Sequence, residues 1–143
     1  MINDWEKFRA LTAQERLLLA QAVAALPVVS VGLSLLGWRR LRSILKRRAN
    51  GGPAQFPRSA EYPLQAARMS NIAGGGRGLR ATCLQRSVTL WWLLDHQGID
   101  CKVIIGVNKD AQVLHAHAWV EHEGQPLNDR SDIRDDFAAL DTF

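Results

Sequence analysis

The 143-residue sequence has only two cysteines, Cys83 and Cys101, and no Cys-x-x-Cys pair. That excludes a disulfide-stapled secreted scaffold and a four-cysteine zinc module. A reduced, cytoplasmic setting is the expectation, in which each thiol has to be weighed as chemistry. His-x-x-x-His spacing is absent too, so no metal site is expected from Cys83, Cys101, His115 and His117, although all four are ligand types. The glycines Gly74, Gly75, Gly76 and Gly78 are followed by no Gly-Lys-Ser/Thr and preceded by no strand pattern, which excludes a phosphate loop. They are expected to form a loop leading into the next helix, and no cofactor is expected. No internal repeat is apparent. A signal-peptide pattern is lacking as well: Asp4 and Glu6 stand among Lys7 and Arg9, and no small-residue cleavage site follows a short apolar core.

What is present is enough apolar material for one domain, at 47% hydrophobic against 22% charged residues. The net charge of +4 conceals a division of the chain. Residues 39–86 carry eleven Lys and Arg with one acid, Glu61, whereas residues 119–143 carry seven acids with only Arg130 and Arg134. Between Leu17 and Trp38 there is no charge at all, a length that meets the roughly 18-residue criterion for a membrane span. Gln21, Pro27, Ser30, Gly32, Ser34 and Gly37 interrupt it, however. Thr12 and Glu15 have capping-box spacing, so the expectation is a helix from about residue 13 to 26, a break at Pro27 and a second apolar helix. Both would pack on the domain or lie on a membrane surface; the alternative is a true span over Leu17–Trp38, in which case Arg39, Arg40, Arg42, Lys46, Arg47 and Arg48 would keep the C-terminal part of the chain in the cytoplasm.

Residues 1–50 are therefore taken as an N-terminal helical arm and 51–143 as the main domain, joined by a hinge at Asn50–Pro57. A short helix is expected over Tyr62–Met69, with Pro63 in its first turn. Thr82 and Gln85 repeat the capping-box spacing, Leu84, Val88 and Leu94 recur at helical intervals, and Gly98 supplies a stop. Cys101–Val107 is Val- and Ile-rich and predicts a strand, with a turn at Asn108-Lys109-Asp110. Val113–Glu121 alternates, putting His115, His117, Trp119 and Glu121 on one face. A turn over 123–126, a short strand from Leu127 to Asp129 and a terminal helix over about 133–140 complete the chain. Helices first and antiparallel hairpins after them make an α+β domain.

Cys83 falls in the first turn of its predicted helix, where free amide N–H groups, the helix dipole and the nearby Arg80 and Arg86 favour a thiolate nucleophile. Such a thiolate needs a base and an orienting group, and His117 followed by Asp129 offers both on adjacent segments. His115 competes with His117 on spacing alone, because triads are recognised by geometry.

The ordered pieces Cys83-Leu84-x-Arg86-Ser87, Ile105-Gly106-Val107 and Ala116-His117-Ala118-Trp119-Val120-Glu121, followed by Asn128-Asp129, resemble the leader peptidases of lasso-peptide biosynthesis, a transglutaminase-like cysteine protease family. The resemblance covers roughly residues 60–135, and the apolar arm is also similar. It implies a papain/transglutaminase-type core, with Cys83 as nucleophile, His117 rather than His115 as base and acid, and Asp129 as orienting group. It implies hydrolysis of the bond between leader and core of a ribosomally made precursor, ahead of an ATP-dependent cyclase. The short apolar arm does not read as a recognition sheet, so a separate leader-recognition protein is the expected partner. The side-chain oxyanion donor of papain-like enzymes has no evident counterpart where Arg77 and Gly78 stand.

Arg86, Ser87 and Trp119 are candidates for site support or substrate contact, each also compatible with ordinary packing. Trp91 and Trp92 read as core and arm contacts, and Cys101 as a packing residue. The basic stretch over 39–48 lacks base-reading or stacking motifs, so nucleic acid is not expected, while membrane-surface contact through residues 17–48 is. The alternative to an enzyme is a catalytically silent transglutaminase-like interaction module held by its apolar arm.

Overall fold

The computed structural model describes residues 4–49, 60–75, 80–109 and 112–142. The expected hinge over Asn50–Pro57, the expected loop at Gly76 to Gly78 and Asp110 of the expected turn after the first strand lie outside them. The order is α1 (Asp4–Arg9), α2 (Ala13–Ala49), α3 (Tyr62–Gly75), α4 (Cys83–His96), β1 (Lys102–Asn108), β2 (Ala116–His122), β3 (Gln125–Pro126), α5 (Ile133–Asp136) and β4 (Phe137–Thr142). The strands form one antiparallel sheet in the order β3-β2-β1-β4, an α+β architecture.

Helix α2 begins where Thr12 and Glu15 exchange hydrogen bonds, the Glu15 N–H donating to Thr12 Oγ1 at 3.2 Å and the Thr12 N–H to Glu15 Oε2 at 2.9 Å. The expected break at Pro27 does not occur. A mid-helix proline costs about 3 kcal/mol, but Pro27 is exposed while Leu26 and Val29 beside it are buried. Full burial of two such side chains contributes roughly 1.5–3 kcal/mol each, enough to carry the helix through. The break comes at Gly37 instead, with φ 73° and ψ 167°, a backbone conformation open essentially to glycine alone. Beyond it the chain folds back. A Cβ added at Gly32 would lie 2.6 Å from Leu41 Cδ1, a proximity that nine residues of straight helix do not allow.

The principal core joins Leu18, Val29, Leu41 and Leu45 of α2, Tyr62, Ala66 and Met69 of α3, Val88, Leu90, Trp91 and Leu94 of α4, and Val103 and Val120 of the sheet. Trp38 meets Trp91 edge-on at 5.5 Å between ring centroids. α4 touches both the helices and the sheet, so its N-terminus is held from two sides. A smaller cluster of Ile104, Trp119, Ile133 and Phe137 sits apart from this core.

The sheet departs from expectation in two places. Residues 137–142 form β4, paired antiparallel with β1, rather than the second half of a terminal helix; α5 is one turn long. Strand pairing with a partner some thirty positions earlier overrides the local pattern. The strand after the Glu123-Gly124 turn is Gln125–Pro126, and Leu127 to Asp129 form bends.

Candidate active site

Cys83 is the first residue of α4, immediately after the Thr82 N-cap. The Gln85 N–H donates to Thr82 Oγ1 at 3.2 Å, and the Thr82 N–H donates to Gln85 Oε1 at 2.9 Å. This capping box fixes the chain's entry into the helix. It leaves the Cys83 N–H among those with no carbonyl four residues back within the helix. The thiol is half-buried and faces a small cleft of about 70 Å³ lined by Asn71, Cys83, Arg86, His117, Ala118, Asn128 and Asp129. The sequence-selected Cys83, His117 and Asp129 are thus brought around one cavity.

His117 Nε2 is hydrogen-bonded to Asp129 Oδ2. Because an ionised carboxylate only accepts, Nε2 carries the hydrogen, and Nδ1 is the nitrogen that gains or gives up a proton when the ring changes charge. Asp129 comes from a bend rather than a strand, and the reason it is held there lies in the free edge of β2. Alternate residues of an antiparallel strand direct their N–H and C=O groups to the same neighbour. For Ala118 and Val120 that neighbour is β3, which pairs only with Glu121 and His122. Leu127 donates its N–H to the Val120 carbonyl at 2.8 Å. The Val120 N–H donates to Asn128 Oδ1 at 2.8 Å, and Ser87 Oγ, fully buried on α4, donates to the Ala118 carbonyl at 3.1 Å. Asn128 Nδ2 then donates to Ser87 Oγ at 3.1 Å, and Asn71 Nδ2 on α3 donates to the Asn128 carbonyl at 3.2 Å. Side chains complete the strand edge, and Asp129 is fixed one residue beyond them.

On the opposite side of β2 the His117 ring lies 6.0 Å from that of Trp119 and 5.2 Å from that of Phe137. Trp119 is fully buried, and room for it requires a glycine on the neighbouring strand: a Cβ at Gly106 would lie 2.9 Å from its ring. Its indole N–H donates to Glu121 Oε1 at 2.9 Å. Arg134 donates to both Glu121 oxygens, at 2.6 and 2.7 Å. The Arg134 hydrogen bonds, helped by that of Trp119 and opposed by burial, hold the Glu121 carboxyl below its ordinary range.

Of the other residues singled out in the sequence, Arg86 lines the cleft and donates from Nε to the Ala81 carbonyl at 3.2 Å, its stem lying against Gly74. His115 is exposed, precedes β2 rather than belonging to it, and is pinned through its N–H to Asn108 Oδ1 at 3.1 Å. Cys101 is buried against the Trp91 carbonyl, and burial, with Asp95 and Asp100 nearby, pushes its thiol up to about 12. Among the described residues no cluster of His, Cys, Asp and Glu could hold a metal ion. Arg77 and Gly78, weighed as the oxyanion region, lie outside the described residues. Sequence reasoning assigned no role to Asn71, Asn128 or Phe137. Asn128 was visible in the Asn-Asp pair, whereas Asn71 and Phe137 carry no local signal.

Comparison with known proteins places this arrangement in context. A family model described as the transglutaminase-like superfamily matches residues 19–142, so the match takes in most of α2. The microcin J25-processing protein McjB of Escherichia coli is 34% identical over 61 residues, which make up 43% of this chain and 28% of that protein. No solved structure matches the chain.

Proposed function

The chain belongs to the transglutaminase-like superfamily, and on that premise we propose that it is a cysteine endopeptidase that removes the leader from a lasso-peptide precursor. The observation that carries the reading is a single cleft lined by a cysteine at the first position of a helix and by a His117–Asp129 pair. Similarity to a microcin-processing protein supports a peptide substrate.

In this mechanism Cys83, as a thiolate beside protonated His117, attacks the carbonyl carbon of the scissile peptide. The tetrahedral oxyanion accepts the Cys83 N–H. Asn71 is the second donor, since its amide has two hydrogens and the Asn128 carbonyl takes one. The C–N bond then breaks as His117 passes its proton to the departing amine, leaving the leader as a thioester on Sγ. His117 next deprotonates a water that attacks the thioester; the sulfur leaves as thiolate, and the leader departs with a free carboxylate. Asp129 holds the imidazole tautomer and stabilises its charged form throughout. The freed core amine is the group a separate ATP-dependent cyclase would use. Leader recognition is assigned to a separate protein, and the setting to the cytoplasm. The helical arm (1–50) and the peptidase region (51–143) are proposed as the two parts of the chain.

The test is to mix the purified chain, a lasso precursor and its recognition protein, and to follow the core by mass spectrometry. Cys83→Ala is expected to release no core, and full cleavage by that variant would overturn the assignment. His115→Ala is expected to cleave at close to the wild-type rate; a large loss would mean that the wrong histidine has been chosen.

A further inference from the structure

Helix α2 has two faces, and only one of them is used by the fold. Leu18, Ala22, Leu26 and Val29, with Leu41 and Leu45 after the turn, are buried in the core against α3 and α4. The other face runs through Leu17, Ala20, Val23, Ala24, Val28, Val31 and Leu35, all exposed and all apolar. Exposure rises toward the turn at Gly37, reaching 58% at Val31 and 77% at Leu35.

The turn end of this stripe is basic, and the α1 end is aromatic, with exposed Glu6 outnumbered by Lys7, Arg9 and Arg16. At the turn, exposed Leu36 is followed by exposed Arg39 and Arg40. At the start, the Arg16 guanidinium stacks over the Phe8 ring at 5.5 Å and that of Arg9 over Trp5 at 5.9 Å. Trp5 and Phe8 are themselves stacked and exposed, which extends the apolar surface onto α1. No acid occurs between Glu15 and Glu61, and Glu15 is turned inward and paired with Arg68. Asp95 faces Arg42 and Lys46, so Arg39 and Arg40 are the cations best placed to act outward. A charge-free stripe ending in arginines and exposed indole and phenyl rings is the chemistry of a bilayer interface with anionic headgroups.

We propose that the outer face of α2, with α1 and the turn at Gly37, docks this protein onto an anionic lipid bilayer, lying in the interface without spanning it. The buried face decides between lying and spanning. A helix crossing the bilayer would have to withdraw Leu18, Leu26 and Val29 from the core, and the chain doubles back at Gly37. The inference is independent of the peptidase reading and goes beyond it.

The experiment is flotation of the purified full-length chain with vesicles of phosphatidylcholine alone and of phosphatidylcholine and phosphatidylglycerol in equal parts. The protein is expected to float with the anionic vesicles and not with the neutral ones, with binding that weakens as salt is raised. Leu35→Asp, at an exposed position, should abolish flotation while leaving the thermal melt unchanged. Arg39→Gln with Arg40→Gln should reduce apparent affinity on the order of tenfold. Absence of flotation with the anionic vesicles overturns the proposal, as does equal binding to both kinds. An oligomer that Leu35→Asp disperses, without vesicle binding by the wild type, also overturns it by assigning the face to a second copy.

Discussion

Replacing Ser87 with alanine removes a hydroxyl that is fully buried and makes two hydrogen bonds, one to the Ala118 carbonyl and one from the Asn128 amide, both at 3.1 Å. A neutral intramolecular hydrogen bond contributes about 1 kcal/mol net, and a buried polar group left without a partner costs about 1–3 kcal/mol. Ala118 has no β3 residue opposite it to take over the carbonyl. Asn128 still accepts from Val120 at 2.8 Å, so the loop is loosened rather than released. The expected loss is therefore about 2–3 kcal/mol, or roughly 5–10 °C in melting temperature for a chain of this size. Thermal unfolding by circular dichroism measures it directly. Ser87→Ala, Asn128→Ala and the double variant close a cycle whose coupling is expected near 1 kcal/mol, because the two side chains share a bond. Additive losses, or a Ser87→Ala melt within about 1 °C of wild type, would refute the view that side chains complete the β2 edge.

Three further expectations rest on the same geometry. With the Cys101 thiol pushed up to about 12, native protein near pH 8 should take up one equivalent of iodoacetamide, at Cys83, with Cys101 reacting only in denaturant; a Cys83 as inert as Cys101 would favour a silent interaction module. Asn71→Ala should lower kcat about a hundredfold if its amide meets the oxyanion, and a change confined to the melting temperature would reduce Asn71 to a support for Asn128. The Glu121 carboxyl is held low by Arg134, so its contribution to stability is complete above the unfolded value and is lost as pH falls through its depressed one. Acid titration followed by tryptophan fluorescence should then show wild type losing stability below about pH 4, and Glu121→Gln should flatten that limb; parallel curves would contradict the assignment.

Features set by neighbouring residues were legible in the sequence. The capping boxes at Thr12 and Thr82 and the left-handed Gly98 are settled within four residues, and all three are found. Placement of Cys83 at a helix start is a consequence of the second of them. Features decided by distant partners were not legible. Pro27 marks a break by local rules, yet the burial of Leu26 and Val29 carries the helix to Gly37. Phe137 to Thr142 has no strong pattern of its own, and its pairing with β1 makes it a strand. His115 and His117 were equivalent by alternation alone; the start of β2 at Ala116 separates them.

The position of Asp129 shows why a candidate site can be recognised in outline before its construction is understood. Sequence order puts an aspartate after a histidine strand, and a strand for Asp129 is the simplest way to bring the two together. The chain uses a two-residue β3 instead, which leaves polar backbone groups of β2 needing partners beyond Pro126. Buried backbone groups of this kind are almost always satisfied, so Ser87, Asn128 and the Leu127 N–H are drawn to that edge, and Asn71 to Asn128 in turn. The carboxylate beside His117 is therefore positioned by hydrogen bonds from α3, α4 and β2, together with the packing of Leu127 against the core. Those same bonds tie the Cys83 helix to the His117 strand. Cys83, His117 and Asp129 consequently share one polar scaffold, and a substitution that breaks it should disturb all three together while much of the apolar core remains intact.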